Sequence, residues 1–466
     1  MTKAKKILII LSLLTLLLVS SFFWLYSLVT AVENGHGTRA QFAYIDQFGL
    51  RSLLYNRFNA YDIDDNRWLN IAKTLAKVDG DFALKLAKYY INKQDETLNT
   101  KRNIKLWLLQ AVRLGNDKAK ILLAGIYVDN NKLLAAKKLL VPIKYDLSAL
   151  TLLIELSLLR GDSKEVEAFI QLFETITSVN QTEDHQLFLQ KLKVYGIIND
   201  PILETKIETN CLVTIAPFST NLNNLEYFEK LITSPNLELL KPYLCFSAIK
   251  YISKIELNCL HRKDEAIRCD EAIWKNNNML INKRFVAVLV DEGGANVNSG
   301  ILYIDRNDTE EVLFHELTHL LGFIDEYPLS KNHFRCLAVQ KSMFSHNVAI
   351  LPRIYHGPRE VVRQKILSQL PWAKYISSQT QLVNETPKGW MLGTVDKELD
   401  KVGAYIAESC NEKKFVAIKP LNQRTALRYF EENFPILYQQ MLADNPTKFL
   451  MPHHIENVDM ALKAKK

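Results

Sequence analysis

A long apolar run opens the chain. Residues 7–32 are 26 consecutive positions without a charged side chain, and a cluster of lysines precedes them. An α-helix needs about 20 residues to cross a bilayer, whereas the apolar core of a cleaved secretory signal is about 7–15 residues long. We therefore predict a transmembrane helix over residues 1–32. A cleaved signal peptide is the alternative, because Val29-Thr30-Ala31 offers a small-residue cleavage site.

Helical periodicity governs residues 45–204, which follow a predicted linker at 33–44. One set of four positions returns 37 residues later with the same internal spacing: Phe82, Leu86, Ala87, Tyr90 and then Ala119, Leu123, Ala124, Tyr127. A repeated helical unit buries its open face against the next unit. The pattern predicts an all-α helical-repeat (solenoid) domain over 45–204, with an irregular helical bundle acting as a spacer as the alternative.

The pattern changes after residue 204. Short β-branched or aromatic runs, "CLVTIAPF", "RFVAVLV" and "SGILYI", stand among helical stretches and predict an α+β domain over 205–466. Phe285–Val290 and Ile301–Ile304 are predicted strands on either side of the turn "DEGGAN". A helix follows, for which we predict a capping box between Asp308 and Glu311 and an end at Gly322.

Charge and cysteine content bear on the partners and the cellular compartment of this 466-residue chain. A net charge of +7, spread over 58 basic and 51 acidic side chains, gives no reason to expect nucleic acid as a partner. Lysines before the apolar run place the amino terminus in the cytoplasm and the rest outside. All six cysteines follow residue 210 and predict up to three disulfides, since no C-x-x-C pair supports a zinc-thiolate site.

The predicted helix after residue 308 carries the candidate chemistry. His315 and His319 are four residues apart, so both imidazoles project from one helix face, with Glu316 beside the first. This H-E-x-x-H spacing is typical of zinc peptidases, in which the two imidazoles bind Zn²⁺ and the glutamate takes a proton from the metal-activated water. The sequence thus predicts Zn²⁺ as cofactor, His315 and His319 as metal ligands, and Glu316 as the catalytic base.

The longer string His315-Glu316-x-x-His319-x-x-Gly322-x-x-Asp325 resembles the extended metzincin signature, in the variant where aspartate replaces the third histidine. That resemblance implies a zincin-like α+β catalytic domain and Asp325 as the third metal ligand. The adjacent Glu326 is the alternative third ligand. The alternative without a metal role is that these acids lie in an exposed turn before Pro328.

Two further resemblances cover parts of the chain. The continuation Asp325-Glu326-Tyr327 is similar to the metallopeptidase family named after the IgA proteases, and "WLLQAVRLGNDKAKILLAGIY" (107–127) resembles the Sel1-like class of tetratricopeptide-type repeats. The first implies a metallopeptidase, and the second implies a surface for protein partners. Metzincins also place a methionine turn beneath the metal. Met343 comes early for that role, and the stretch near Leu427 has no methionine.

Other residues are secondary candidates. Tyr327 is suited to hydrogen-bond an oxyanion, but a tyrosine beside a proline turn is more often half-buried packing. The histidines at 333, 346, 356, 453 and 454 are more simply loop or surface residues. The strand Ile301–Ile304 is either an ordinary core strand or one to which an extended substrate adds.

Together these patterns predict a single-pass protein of the inner (cell) membrane whose carboxyl-terminal domains are periplasmic or extracellular. The expected function is that of a zinc endopeptidase acting on protein or peptide substrates. The alternative is a non-catalytic envelope scaffold that binds a protein partner through its helical repeats.

Overall fold

The computed structural model describes residues 3–49, 51–93, 97–178, 182–200, 211–260, 267–275, 277–341 and 344–452. The chain divides into two compact units, Met1–Ser157 with Glu165–Val179 and Leu158–Lys164 with Asn180–Lys466. The described residues of the first unit are largely helical, and the second combines helices with β-sheets. A helix-rich amino-terminal part followed by a part with a mixed sheet is therefore confirmed. Residues 182–200, which the periodicity grouped with the helical part, fall in the second unit.

Helices form the first unit. In chain order they are α1 (Lys3–Glu33), α2 (Arg39–Gln47), α3 (Arg51–Ala60), α4 (Asn66–Leu75), α5 (Gly80–Asn92), α6 (Leu98–Arg113), α7 (Asp117–Asp129), α8 (Leu133–Leu140), α9 (Leu147–Arg160) and α10 (Ser163–Thr177), of which α9 ends in the second unit. Among the described residues, α1 is the one helix long and apolar enough to cross a membrane, over Ile10–Glu33. The predicted linker 33–44 includes the start of α2.

The carboxyl-terminal turns of α1 belong to the core of the first unit. Leu28, Val29 and Val32 are buried in the same apolar cluster as residues of α4 and α5. Glu33 accepts a hydrogen bond from the Tyr61 hydroxyl at 3.0 Å. The last residues of the apolar run therefore have a composition that suits a membrane, and they also pack against helices of the first unit.

The 37-residue recurrence extends to the helix caps. Asp79 caps α5 and Asn116 caps α7, each accepting backbone N–H groups of the first turn. Gly115, at φ 85°, directly follows the C-cap of the preceding helix, a position that favours glycine. The shared positions that are fully buried are Leu86, Ala87, Ala119, Leu123 and Ala124. Small residues at these positions let neighbouring helices pack closely.

The second unit holds the remaining elements. Its helices are α11 (Glu183–Val194), α12 (Leu222–Ile232), α13 (Lys254–Leu257), α14 (Glu310–Leu320), α15 (Phe334–Lys341), α16 (Arg359–Leu367) and α17 (Ile436–Asp444). Its strands are β1 (Val213–Ser219), β2 (Leu244–Phe246), β3 (Lys250–Tyr251), β4 (Phe285–Leu289), β5 (Asn296–Asn298), β6 (Ile301–Ile304), β7 (Ala349–Pro352), β8 (Ile354–Tyr355), β9 (Val383–Thr386), β10 (Gly389–Leu392), β11 (Tyr405–Ile406) and β12 (Phe415–Lys419).

The main sheet has the order β2-β1-β4-β6-β5, with β3 also paired to β1. All its pairs are parallel except β5 with β6. Strand β6 lies between β4 and β5, and all four of its residues are buried. The predicted strand Ile301–Ile304 is therefore a core strand, and the edge of the sheet belongs to β5.

Helix α14, which carries both histidines of the motif, is capped differently from the prediction. Its N-cap is Thr309, so the predicted capping box between Asp308 and Glu311 is wrong. The Asp308 carboxylate instead accepts the N–H of Asp305 at 2.7 Å, and Glu311 accepts the Thr309 hydroxyl at 2.6 Å. Asp308 closes the tight turn before the helix, which takes its side chain away from the helix amides.

Three cysteine pairs lie in the second unit: Cys211–Cys245, Cys259–Cys269 and Cys336–Cys410, with Cα–Cα distances of 5.8, 3.8 and 5.4 Å. All six cysteines are paired. The prediction of up to three disulfides is confirmed, and the structure supplies the pairing that spacing alone left open.

We expect the Cys336–Cys410 pair to contribute most, because it closes the longest loop, 74 residues against 10 for Cys259–Cys269. Replacing both Cys336 and Cys410 with alanine should lower the free energy of unfolding by about 4 kcal/mol, and the same change at Cys259 and Cys269 by about 3 kcal/mol. Urea unfolding of the full chain, followed by tryptophan fluorescence, measures both. Equal losses, or the reverse order, would contradict the loop-length argument.

Candidate metal centre

Helix α14 places the motif in the interior of the second unit. It packs against β5 and β6, and its inward face carries His315, Glu316 and His319. These side chains are 1%, 5% and 1% exposed. One potential ligand atom from each lies within 4.8 Å of the others, so the predicted helical spacing does bring the three groups together.

Backbone carbonyls fix the tautomers of the two imidazoles. His315 Nδ1 lies 2.8 Å from the Ala426 carbonyl oxygen, and His319 Nδ1 lies 2.9 Å from that of Phe323. A carbonyl oxygen only accepts, so each Nδ1 carries the proton and donates it. In the neutral rings both Nε2 atoms then present lone pairs, and they face each other at 3.1 Å. This is the orientation that metal-binding histidines adopt.

Asp325 joins the two histidines. Gly322, at φ 89°, ends α14, and an added Cβ there would clash with the Phe449 carbonyl, so only glycine allows this turn. The turned chain brings Asp325 Oδ1 to 3.0 Å from His315 Nε2 and 3.1 Å from His319 Nε2. Asp325 is fully buried, which excludes the exposed turn as its explanation.

The three atoms form a nearly equilateral triangle with edges of 3.0, 3.1 and 3.1 Å. A tetrahedral zinc ion with ligand distances of about 2.0–2.1 Å holds its ligands about 3.3 Å apart. Three electron-pair donors that converge in a buried space repel one another, and a cation bound between them would offset that repulsion. Two imidazoles and one carboxylate are also a donor set that zinc binds, so the residues fit this metal.

Electrostatics at the triangle favour positive charge at His315. Burial opposes the charged imidazolium, but the hydrogen bond to Asp325 and the negative charges of Glu316 and Asp325 outweigh it, so the pKa of His315 is raised. Burial and the charge of Arg335 lower the pKa of His319 and keep it neutral. Burial alone would raise the pKa of Asp325, but its interactions with His319 and Arg335 and its hydrogen bonds with the two histidines hold it well below its usual range.

Glu316 occupies a position suited to proton transfer. Its Oε2 lies 3.9 Å from His319 Nε2 and is buried without a hydrogen-bond partner among the described residues. A buried carboxylate oxygen with no donor is costly in an ordinary core. Next to a metal-activated water it would have a donor to accept from.

Glu326 faces away from the triangle, although it is adjacent to Asp325 in sequence. Its carboxylate accepts hydrogen bonds from Lys419 Nζ at 2.6 Å, the Tyr438 hydroxyl at 2.6 Å and Asn347 Nδ2 at 3.1 Å. These three donors engage both oxygens. Of the two acids that the sequence left open, the structure brings Asp325 to the histidines.

Sequence reasoning missed Arg335, which is 7% exposed and lies in the same site. Its Nη1 donates to Asp325 Oδ2 and lies 2.9 Å from His319 Nε2. Its Nη2 lies 3.9 Å from Glu316 Oε2. No spacing rule links a lone arginine to a motif 16 residues earlier, so no signal in the sequence identified it.

The remaining candidates occupy different places. Tyr327 is half-buried, its ring nearly parallel to that of His315 at 6.4 Å, and burial raises its pKa. His333 is half-buried, and burial and the Arg335 charge lower its pKa. His346 packs between Phe323 and Phe449, where burial lowers its pKa to about 4. His356 is exposed. Met343, His453 and His454 lie outside the described residues.

The segment beside His315 departs from the metzincin pattern. Ala426 supplies the carbonyl that fixes His315, and the Leu427 carbonyl accepts the N–H of Glu326 at 2.9 Å. The Phe430 ring meets the His315 ring edge-on at 4.8 Å. This stretch, residues 424–430, contains no methionine.

No family model matches the chain, and neither the curated proteins nor the solved structures compared with it include a match.

Proposed function

We propose that this protein is a membrane-anchored zinc-dependent endopeptidase of the cell envelope. The observation that carries the proposal is the buried triangle of His315 Nε2, His319 Nε2 and Asp325 Oδ1 beside Glu316 Oε2, which has no hydrogen-bond partner among the described residues. The mixed sheet followed by α14 supports assignment to the zincin-like, metzincin-type group that the motif resembles.

The chemistry follows from the positions of these groups. His315, His319 and Asp325 would hold zinc, which when bound lets water ionise near neutral pH. Glu316 Oε2 accepts the proton that the attacking water loses, and then delivers it to the leaving amine nitrogen. Burial of the site keeps bulk water away and strengthens these interactions.

Substrate binding is best supported at the edge strand β5. Within the described part of the chain, no strand pairs with its outer side, and α14 packs against it. An extended peptide adding to β5 would place its backbone next to the motif helix. Because such pairing uses backbone groups, it implies a polypeptide substrate without naming its sequence.

The proposed location combines two observations. Three cysteine pairs are typical of an oxidising compartment. Cleavage after Ala31 would separate Val29 from the core in which it is buried, so the packing of α1 supports a retained anchor. With the lysines on the cytoplasmic side, both units would lie in the periplasm or outside the cell.

One observation favours the scaffold alternative. The recurrence of caps and buried small residues between α5 and α7 is the pattern of a helical repeat, which commonly presents a surface to a protein partner. A scaffold of this kind would bind metal without turning over a substrate.

Metal analysis and proteolysis of the purified full chain test the proposal. We expect about one zinc per chain, as one H-E-x-x-H site requires, and cleavage of unfolded protein that a chelator stops and added zinc restores. His315→Ala with His319→Ala should abolish both, whereas the exposed His356→Ala should change neither. A wild-type chain without stoichiometric zinc would refute the metal centre. Zinc without cleavage of any peptide in a broad library would establish the scaffold reading instead.

A further inference from the structure

Arg335 is the feature of the second unit that the proposed chemistry leaves unexplained. It is a buried cation that lies against Asp325, His319 and Glu316 at once. Nη1 donates to the outer oxygen of Asp325, Oδ2, and lies 2.9 Å from His319 Nε2, while the inner oxygen, Oδ1, faces the histidines. Nη2 donates to the Val297 carbonyl at 3.3 Å and lies 3.9 Å from Glu316 Oε2.

The surroundings hold this side chain in one place. Arg335 is the second residue of α15, and its neighbour Cys336 is tied to Cys410. The guanidinium carbon lies 5.5 Å from the centre of the Phe334 ring. Desolvation of a buried cation is costly, and two nearby carboxylates, Asp325 and Glu316, offset that cost.

A carboxylate ligand has two equivalent oxygens, so something must decide which one faces the metal. A donor that holds one oxygen leaves the other free to coordinate, and such partners orient the ligands of metal sites generally. A guanidinium suits this task because its N–H groups form a planar fork of fixed geometry, which a lysine ammonium lacks.

We propose that Arg335 is a positioning residue of the metal centre: it holds Asp325 Oδ2, so that Oδ1 alone faces the two histidines. Through Val297 it also joins this ligand to the edge strand β5, where the substrate is proposed to bind. The inference rests on the proposed metal centre and adds to it a residue that makes no metal contact of its own.

Cobalt binding tests this role without any measurement of activity. Co²⁺ is a probe of zinc sites whose visible absorption reports the coordination geometry. We expect Arg335→Lys, which keeps the charge but loses the fork, to bind Co²⁺ about 10- to 100-fold more weakly and to show an altered spectrum. The matched control is Arg363→Lys, since Arg363 also uses its guanidinium on two backbone carbonyls, those of Thr380 and Ser377. That variant should bind Co²⁺ like the wild type.

A second variant distinguishes the positioning role of Arg335 from a simple folding defect. Arg335→Ala should show the altered Co²⁺ spectrum, and added guanidinium should restore the wild-type spectrum by refilling the space beside Asp325. Wild-type affinity and spectrum in Arg335→Lys, or no response of Arg335→Ala to guanidinium, would overturn the positioning role. A wild-type chain that binds neither Co²⁺ nor Zn²⁺ would refute the metal centre itself, so the two failures are distinguishable.

Discussion

Replacing Glu316 with glutamine is expected to lower kcat for peptide hydrolysis by about 10²–10⁴-fold while leaving the zinc content unchanged. Glutamine has nearly the same shape as glutamate but cannot take up the proton that the attacking water must lose. The three proposed ligand atoms belong to other residues, so metal binding should survive. Initial rates on a fluorogenic peptide, together with metal analysis of the same sample, measure both effects.

The matched control is Glu311→Gln, an equivalent change on the exposed first turn of the same helix. It removes one negative charge from α14 without touching the site, so kcat should stay within about twofold of the wild type, as for a surface substitution away from such a site. Undiminished hydrolysis by Glu316→Gln would contradict the proposed role of Glu316 as the general base. Loss of zinc from that variant would mean that Glu316 is itself a metal ligand. Glu316 belongs to the buried His-Glu-His cluster, so that outcome would have a structural basis.

Local spacing made the core of the site predictable. His315 and His319 are one helical turn apart, and the structure needs nothing from distant residues to bring them to one face. The prediction of Asp325 as a ligand required only one further local feature, the turn at Gly322. The choice between Asp325 and Glu326 was not local. It was decided by donors far along the chain, Lys419 at a separation of 93 residues and Tyr438 at 112.

One error was local, whereas the gaps were not. Asp308 is a good capping residue, but its carboxylate accepts the N–H of Asp305 three residues earlier, and Thr309 takes the N-cap position of α14 without a side-chain cap. Periodicity identified the strand Ile301–Ile304 but not its place in the sheet, which depends on the order of all the strands. Arg335 reaches the site through the packing of α15, and nothing in its sequence neighbourhood marks it.

Lys419→Met is expected to lower the free energy of unfolding of the second unit by about 3–5 kcal/mol. Lys419 Nζ lies 2.6 Å from Glu326 Oε2, and the Glu326 side chain is fully buried. Without the ammonium, the buried Glu326 carboxylate has only the neutral donors Tyr438 and Asn347. Burial and the charge of Glu326 raise the pKa of Tyr438, so its hydroxyl stays protonated and donates but cannot replace a cation. Urea unfolding of the full chain measures the loss.

Two comparisons make this result specific to the buried pair. Lys331→Met removes the cation of an ion pair of similar length, 2.8 Å to Glu412, but Lys331 is 48% exposed, so we expect a change of about 0–1 kcal/mol. Adding Glu326→Gln to Lys419→Met removes the unpaired charge and should restore part of the lost stability. A single-variant loss no larger than that of Lys331→Met, or a double variant less stable than Lys419→Met alone, would contradict the argument. Because Glu326 adjoins Asp325, the same contact holds one of two consecutive buried acids on Lys419 and leaves the other to face the histidines.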